Sequence, residues 1–212
     1  MDMRRLHALL ALLAVAVVTT SIFWVSLSYF QSEERTKAHD ERDPTILSVP
    51  SMFQAARLVA GTLRDVIETH ASTGQRADST FNATMILGGQ IKGGPPRLFL
   101  IYPEGNFIEA SRETSFFQIG ETKYGRPILV RAYEPGMSFA DAMKLLLVSF
   151  DSTIKANLSV GLPLDMCIYE ADSMRLPPVH RIEADDPYFS TISDGWGDAL
   201  KRAFESLPNP EI

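Results

Sequence analysis

Four histidines, one cysteine and one glycine-rich run have the most direct claim to chemistry in this 212-residue chain. Imidazoles hold zinc or relay protons when they stand at a fixed spacing, such as i, i+4 on one helix face. His7, His39, His70 and His180 show no such pairing, so no histidine-based metal site is expected. Cys167 is the single thiol. A reactive thiolate needs an electropositive, partly open setting. Its neighbours Met166 and Ile168 are apolar, which predicts a buried, inert side chain inside a strand. One cysteine also excludes a disulfide framework and a cysteine-rich zinc module.

The run Gly88-Gly89-Gln90-Ile91-Lys92-Gly93-Gly94-Pro95-Pro96 has the glycines of a phosphate cradle. It lacks the Gly-Lys-Ser/Thr ending, and two prolines stand where a helix would have to begin. No row of amides can then be aimed at a phosphate, and the run reads as a strand–turn–strand connection. Asp185-Asp186 before Pro187 reads as a helix cap rather than a catalytic carboxylate pair. Asn82-Ala83-Thr84 and Asn157-Leu158-Ser159 match glycosylation sequons, which matter only in a chain secreted by a eukaryote. The net charge of -6 argues against a nucleic-acid partner, which would demand a basic face. No cofactor and no self-sufficient active site is expected from these residues alone.

The elements that must position them follow from periodicity. Ser51 to about Thr69 predicts an amphipathic helix, with Met52, Ala55, Ala56, Val59, Leu63, Val66 and Ile67 on one face. Residues 70–80 read as an exposed loop. Phe81 to Leu87 predicts a strand ending at Gly88-Gly89. Arg97 to Tyr102 and Phe107 to Ala110 predict a hairpin around Pro103-Glu104-Gly105-Asn106. Residues 120–132 allow a helix or a loop, because of Pro127. Ser138 to about Asn157 predicts a helix capped by Ser138, with Asp141 placed to reach back to the first amide, and with Met143, Leu146, Leu147, Phe150 and Ile154 as its apolar stripe. Asp165 to Glu170 predicts a buried strand. From Asp186 a last helix carries Phe189, Ile192, Trp196, Leu200, Ala203, Phe204 and Leu207 on one face, with Trp196 as a core residue. Hairpins with long helices give an α+β class in stacked layers.

The first thirty residues differ from all of this. They hold only Asp2, Arg4 and Arg5 as charges, a net +1, while the other 182 residues carry -7. Leu6 to Phe30 has no Asp, Glu, Lys or Arg. As a helix it would span ~37 Å, enough to cross a ~30 Å hydrocarbon core with tilt. The expected organisation is an apolar, membrane-spanning segment or a frame-shifted start over 1–30, a charged linker over 31–50 and a folded domain over 51–212.

Long blocks then add a family resemblance. Phe81-Asn82-Ala83-Thr84-Met85-Ile86-Leu87-Gly88-Gly89-Gln90-Ile91-Lys92-Gly93 and Pro95-Pro96-Arg97-Leu98-Phe99-Leu100-Ile101-Tyr102-Pro103 are two. Gly105-Asn106-Phe107-Ile108-Glu109-Ala110 and Phe116-Phe117-Gln118-Ile119-Gly120-Glu121-Thr122-Lys123-Tyr124-Gly125 follow. Val148-Ser149-Phe150-Asp151-Ser152-Thr153 and Asn157-Leu158-Ser159-Val160-Gly161 complete the set. In this order, over about residues 31–212, they closely resemble the bacterial proteasome-type proteases called Anbu, the ancestral beta subunit group.

That resemblance implies an Ntn-hydrolase αββα sandwich of antiparallel sheets. It also implies self-association into a proteasome-like homo-oligomer, peptide substrates and a cytoplasmic location, against the single-pass membrane location that Leu6 to Phe30 implies. The family's catalyst is an amino-terminal threonine whose own amine acts as base, tuned by an aspartate and a lysine. This chain opens Met1-Asp2-Met3 and has no counterpart of those opening strands. The sandwich is therefore expected to be truncated, with unpaired sheet edges, and no catalytic residue is assigned. Thr19 and Thr20 stand in the apolar run with no Asp or Lys after them up to Phe30. Remnants flanking the family site are expected at Glu121, beside Gly120 and Thr122, and at Asn157 and Ser159 before Gly161. Those remnants cannot attack a carbonyl unaided, so the chain is expected to be inactive; the alternative is a membrane-anchored, non-catalytic binding or assembly subunit.

Overall fold

The computed structural model describes residues 44–72 and 82–211. The apolar run Leu6 to Phe30, with Thr19 and Thr20, lies outside them, as do Phe81, residues 73–80 and most of the 31–50 linker. Among the described residues no helix is long and apolar enough to cross a membrane. The described chain is α+β and falls into two compact units, one of residues 44–72, 82–119 and 167–178, the other of residues 120–166 and 179–211.

In the first unit helix α1 (Met52–Ser72) covers an antiparallel sheet of β1 (Met85–Gly89), β2 (Arg97–Ile101) and β3 (Phe107–Glu109), in that spatial order. β1 lays Met85 opposite Ile101 and Gly89 opposite Arg97, so the glycine-rich run is a strand connection. Alternation on β2 sends Phe99 and Ile101 toward α1. Phe99 packs on Met52 and Ala56, and Ile101 on Ala60 and Leu63. Alanines at these positions let helix and sheet approach closely. Val66, expected on the buried face, is 39 % exposed; it lies past Leu63, the last buried residue among those described in the helix. The helix runs to Ser72, past the loop start expected at residue 70.

Gln90 fastens the glycine-rich connection. Its amide nitrogen donates to the Gly94 carbonyl and to Asp172 Oδ1, both at 2.7 Å. Its oxygen accepts from the Asp172 amide at 2.8 Å and the Tyr169 hydroxyl at 3.1 Å. This explains one departure from expectation. The strand expected over 165–170 stops at Met166, and Tyr169 leaves sheet geometry for a loop bound to Gln90.

In the second unit α2 (Arg126–Ala132), α3 (Phe139–Ala156) and α4 (Pro187–Glu205) accompany a two-stranded antiparallel sheet of β4 (Leu164–Met166) and β5 (His180–Ile182). Leu164, Met166 and Ile182 form one buried cluster with Leu147 from α3 and Phe189 from α4. On the opposite face Arg181 donates to both oxygens of its cross-strand partner Asp165 at 3.2 Å. Pro127 sits in the first turn of α2, where its missing donor costs nothing.

The caps match their sequence signals in part. Asp186 accepts the Phe189 amide at 2.8 Å, as its place before Pro187 predicts. Ser138 accepts the Asp141 amide at 3.1 Å. The reciprocal half of the box differs. The Asp141 carboxylate accepts the Ser138 hydroxyl at 2.8 Å and Lys144 Nζ at 2.9 Å instead of the first amide. Aspartate is one methylene shorter than the glutamate of a full capping box. The Lys144 bond, then the Ser138 bond, holds this carboxyl below its ordinary range. The last helix also departs from expectation: its stripe is buried at Phe189 but open at Leu200, Phe204 and Leu207, because α4 outruns the cluster it packs against.

Candidate functional site

Glu121, Asn157 and Ser159 lie 38 residues apart at most in sequence and form one hydrogen-bonded group in the second unit. Asn157 closes α3: its amide donates to the Thr153 carbonyl at 2.8 Å, and its own backbone turns extended. An asparagine leaving a helix this way can fold its side chain over the following amides. Here Asn157 Oδ1 accepts from the Ser159 amide at 2.9 Å and the Ser159 hydroxyl at 2.7 Å. Asn157 Nδ2 donates across to Glu121 Oε2 at 2.9 Å. The second oxygen of Glu121 accepts the Lys123 amide at 2.8 Å.

Glu121 reaches this position because Gly120 before it has a positive φ of 78°, a conformation that glycine adopts without strain. The segment then enters α2, where the Arg126 amide bonds the Thr122 carbonyl at 3.2 Å. Gly125 is seated against α3 beside Ser149 and Thr153, both buried. Glycine at 125 therefore sets how closely the Glu121 segment approaches the end of α3. The sequence pattern gave no sign of this contact, nor of the Lys123 amide as a partner of Glu121.

The group has the chemistry of a positioning network. The Ser159 hydroxyl donates to an amide oxygen, which cannot take its proton, so Ser159 is not an activated nucleophile. Both Glu121 oxygens are engaged by donors. Between Asn157 and Ser159 the side chain of Leu158 stands fully in solvent. Cys167, just past β4, is half-buried, and burial pushes its thiol pKa up, away from thiolate chemistry. Among the described residues no three of His, Cys, Asp and Glu gather where they could hold a metal ion.

Asn157→Ala removes the bond to Glu121 and the acceptor of Ser159. It is expected to cost about 1–2 kcal/mol of stability, with faster hydrogen exchange at the Ser159 amide. Asn157→Asp keeps the Ser159 acceptor but sets a second carboxylate against Glu121. Its deficit should shrink as pH falls through the carboxylate range, when one of the two binds a proton. A melting temperature for Asn157→Asp with the same pH profile as the parent would disprove the contact.

Comparison with known proteins supplies the context of this group. The sequence profile of the family described as "Proteasome subunit" matches residues 56–168. Among solved structures, Anbu from Hyphomicrobium sp. strain MC1 is 42% identical, over 95% of this chain and 81% of that one, with a TM-score of 0.79. Anbu from Yersinia bercovieri is 40% identical over 96% of this chain and 82% of its own, with a TM-score of 0.77. The helical assembly of the Anbu complex from Pseudomonas aeruginosa is 38% identical over 94% of this chain and 85% of its own, also at 0.77. No curated protein sequence matches.

Proposed function

Because this chain belongs to the proteasome-subunit family, in its Anbu group, we propose that it is a self-associating, proteasome-type subunit that keeps the frame of a threonine-peptidase site but does not itself hydrolyse peptides. The observation that carries this reading is the Glu121–Asn157–Ser159 group. It holds three residues expected to flank the family's threonine in one network, in which the one hydroxyl, that of Ser159, donates to an amide oxygen that cannot take its proton.

Threonine-type hydrolysis needs a hydroxyl to add to the peptide carbonyl, a free amine to take the hydroxyl proton, and a nearby cation that keeps that amine unprotonated at the working pH. Within the 212 residues the first lysine is Lys37, and Thr19 and Thr20 sit inside an uncharged run. A threonine with a peptide bond on its nitrogen has no amine to offer. Self-association is supported by the relative whose structure is a helical assembly.

Purified full chain is expected to give no turnover of fluorogenic peptides above buffer. Turnover abolished by Thr19→Ala or Thr20→Ala would refute the reading. The run Leu6 to Phe30 supports a second reading, a membrane-anchored, non-catalytic assembly subunit. Carbonate extraction separates the two: a chain that stays with the membrane pellet supports the anchor, and one released to the supernatant removes it.

A further inference from the structure

Gln90 fastens the loop after β4 to the glycine-rich connection, and it has no bonding capacity left. Its amide nitrogen serves the Gly94 carbonyl and Asp172 Oδ1, and its oxygen serves the Asp172 amide and the Tyr169 hydroxyl. The Tyr169 hydroxyl has one proton to give. It lies 3.1 Å from Gln90 Oε1 and 3.9 Å from Met174 Sδ. A thioether is a weak acceptor, so the proton goes to Gln90. The loop backbone is held out of its preferred conformations, with φ 65° at Asp172 and 48° at Met174. Left-handed backbone outside glycine persists only where the surroundings fix it. Here the two bonds between Asp172 and Gln90 do so. Met174 is also open to solvent, at 46 % exposed, whereas Met52 and Met166 are buried in the cores of the two units.

We propose that Met174 is a redox-sensitive modification site, at which a peroxide makes a sulfoxide that takes the Tyr169 proton from Gln90 and loosens the loop from the glycine-rich connection. The thioether sulfur attacks one oxygen of hydrogen peroxide. An S–O bond forms, the O–O bond breaks, and the other oxygen leaves as water with both protons. Sulfur gives up two electrons and the peroxide takes them. The product is polar where the thioether was apolar. Its oxygen projects from the sulfur and closes the gap to the Tyr169 hydroxyl, leaving Gln90 Oε1 with the Asp172 amide alone. Sulfoxide reductases restore the thioether with electrons from thiols, so the change is reversible. Cys167, two positions before Tyr169, competes poorly for the oxidant, because burial pushes its thiol pKa up and keeps it protonated. The proposal goes beyond the subunit reading and does not depend on it.

The test treats the full chain with dilute hydrogen peroxide, maps oxidised methionines by mass spectrometry and follows amide hydrogen exchange by NMR. Met174 is expected to gain its oxygen well before Met52 and Met166. The Asp172 amide should then exchange about fivefold faster, the equivalent of one net hydrogen bond, because the loop opens more often. Methionine sulfoxide reductase with dithiothreitol should reverse the rise. Met174→Leu is apolar and of similar volume, so it keeps the fold, and peroxide should leave its Asp172 exchange unchanged. Tyr169→Phe has no proton to transfer. Its Asp172 amide should exchange faster from the outset, and oxidation should add nothing. Oxidation of Met174 no sooner than of Met52 and Met166 overturns the proposal. So does full oxidation with unchanged exchange at Asp172, an equal rise in Met174→Leu, or a further rise in Tyr169→Phe.

Discussion

Phe99→Ala is expected to lower the unfolding free energy by about 3–5 kcal/mol, a third or more of the stability of an ordinary domain. Phe99 has no exposed surface. It lies on the middle strand of its sheet, against Met52 and Ala56 of α1, with Leu87 and Ile91 around it. The Phe107 ring meets it edge-on at a centroid distance of 5.7 Å, an arrangement with its own stabilisation beyond burial. Truncation leaves a hole that the surroundings fill poorly. On the helix face above the sheet Ala55, Ala56 and Ala60 are buried and have no side chain to swing into a void, which leaves Met52 as the flexible neighbour from the helix that can fill part of it. What Met52 does not fill remains a cavity and adds to the lost transfer energy. Urea unfolding followed by two probes measures the loss. Ile101→Val, which removes one methylene from the neighbouring site, should cost about 0.5–1.5 kcal/mol. A Phe99→Ala loss below that range would show that the sheet and α1 are not packed as described.

The same contacts explain how much could be read in advance. The three long helices and the hairpin strands were legible because their apolar residues repeat at 3.6 or 2 positions, and because Pro103-Glu104-Gly105-Asn106 and Asp186-Pro187 are local signals that act within a few residues. What ended at the wrong place ended for non-local reasons. Nothing in the sequence around Tyr169 says that Gln90, 79 positions earlier, takes its hydroxyl and draws the chain away from the sheet. The α4 stripe carries no mark of where its cover stops, because Phe189 and Phe204 follow one pattern while only the first meets a core. For the site, the identities of Glu121, Asn157 and Ser159 came from family resemblance. Their mutual geometry follows from an asparagine at a helix end and a glycine before Glu121. The close seat of Gly125 against α3 was invisible, since a glycine ahead of a helix looks the same whether its missing side chain is needed or not.

Gly125→Ala turns that last point into a measurement. Gly125 has φ -85° and ψ -40°, which any residue adopts, so the backbone alone raises no objection to alanine. In open space the change would gain about 0.4–1 kcal/mol by restricting the unfolded chain. The space here is filled. A methyl group at 125 would fall on the Ser149 hydroxyl, 2.9 Å from Thr153 Oγ1 and 3.0 Å from the Ser149 carbonyl oxygen. The hydroxyl of Thr153 is held by its own bond to that carbonyl at 2.9 Å, and the carbonyl belongs to the helix backbone, so neither gives way readily. The start of α2 must then lift from α3, at the cost of about 1–3 kcal/mol typical of overpacking. Because Glu121 leads into α2, lifting it also stretches the Asn157–Glu121 bond, and the Ser159 amide should lose protection as it does in Asn157→Ala. Adding Ser149→Ala removes the nearest obstacle and should restore at least about 0.5 kcal/mol, the coupling expected of side chains in contact. Gly61→Ala is the counterpart: Gly61 lies within α1 with no atom near its missing Cβ, and alanine there should stabilise by about 0.5–1 kcal/mol. Stabilisation by both alanines would show that Gly125 is free like Gly61, and that something other than this close seat brings Glu121 to the end of α3.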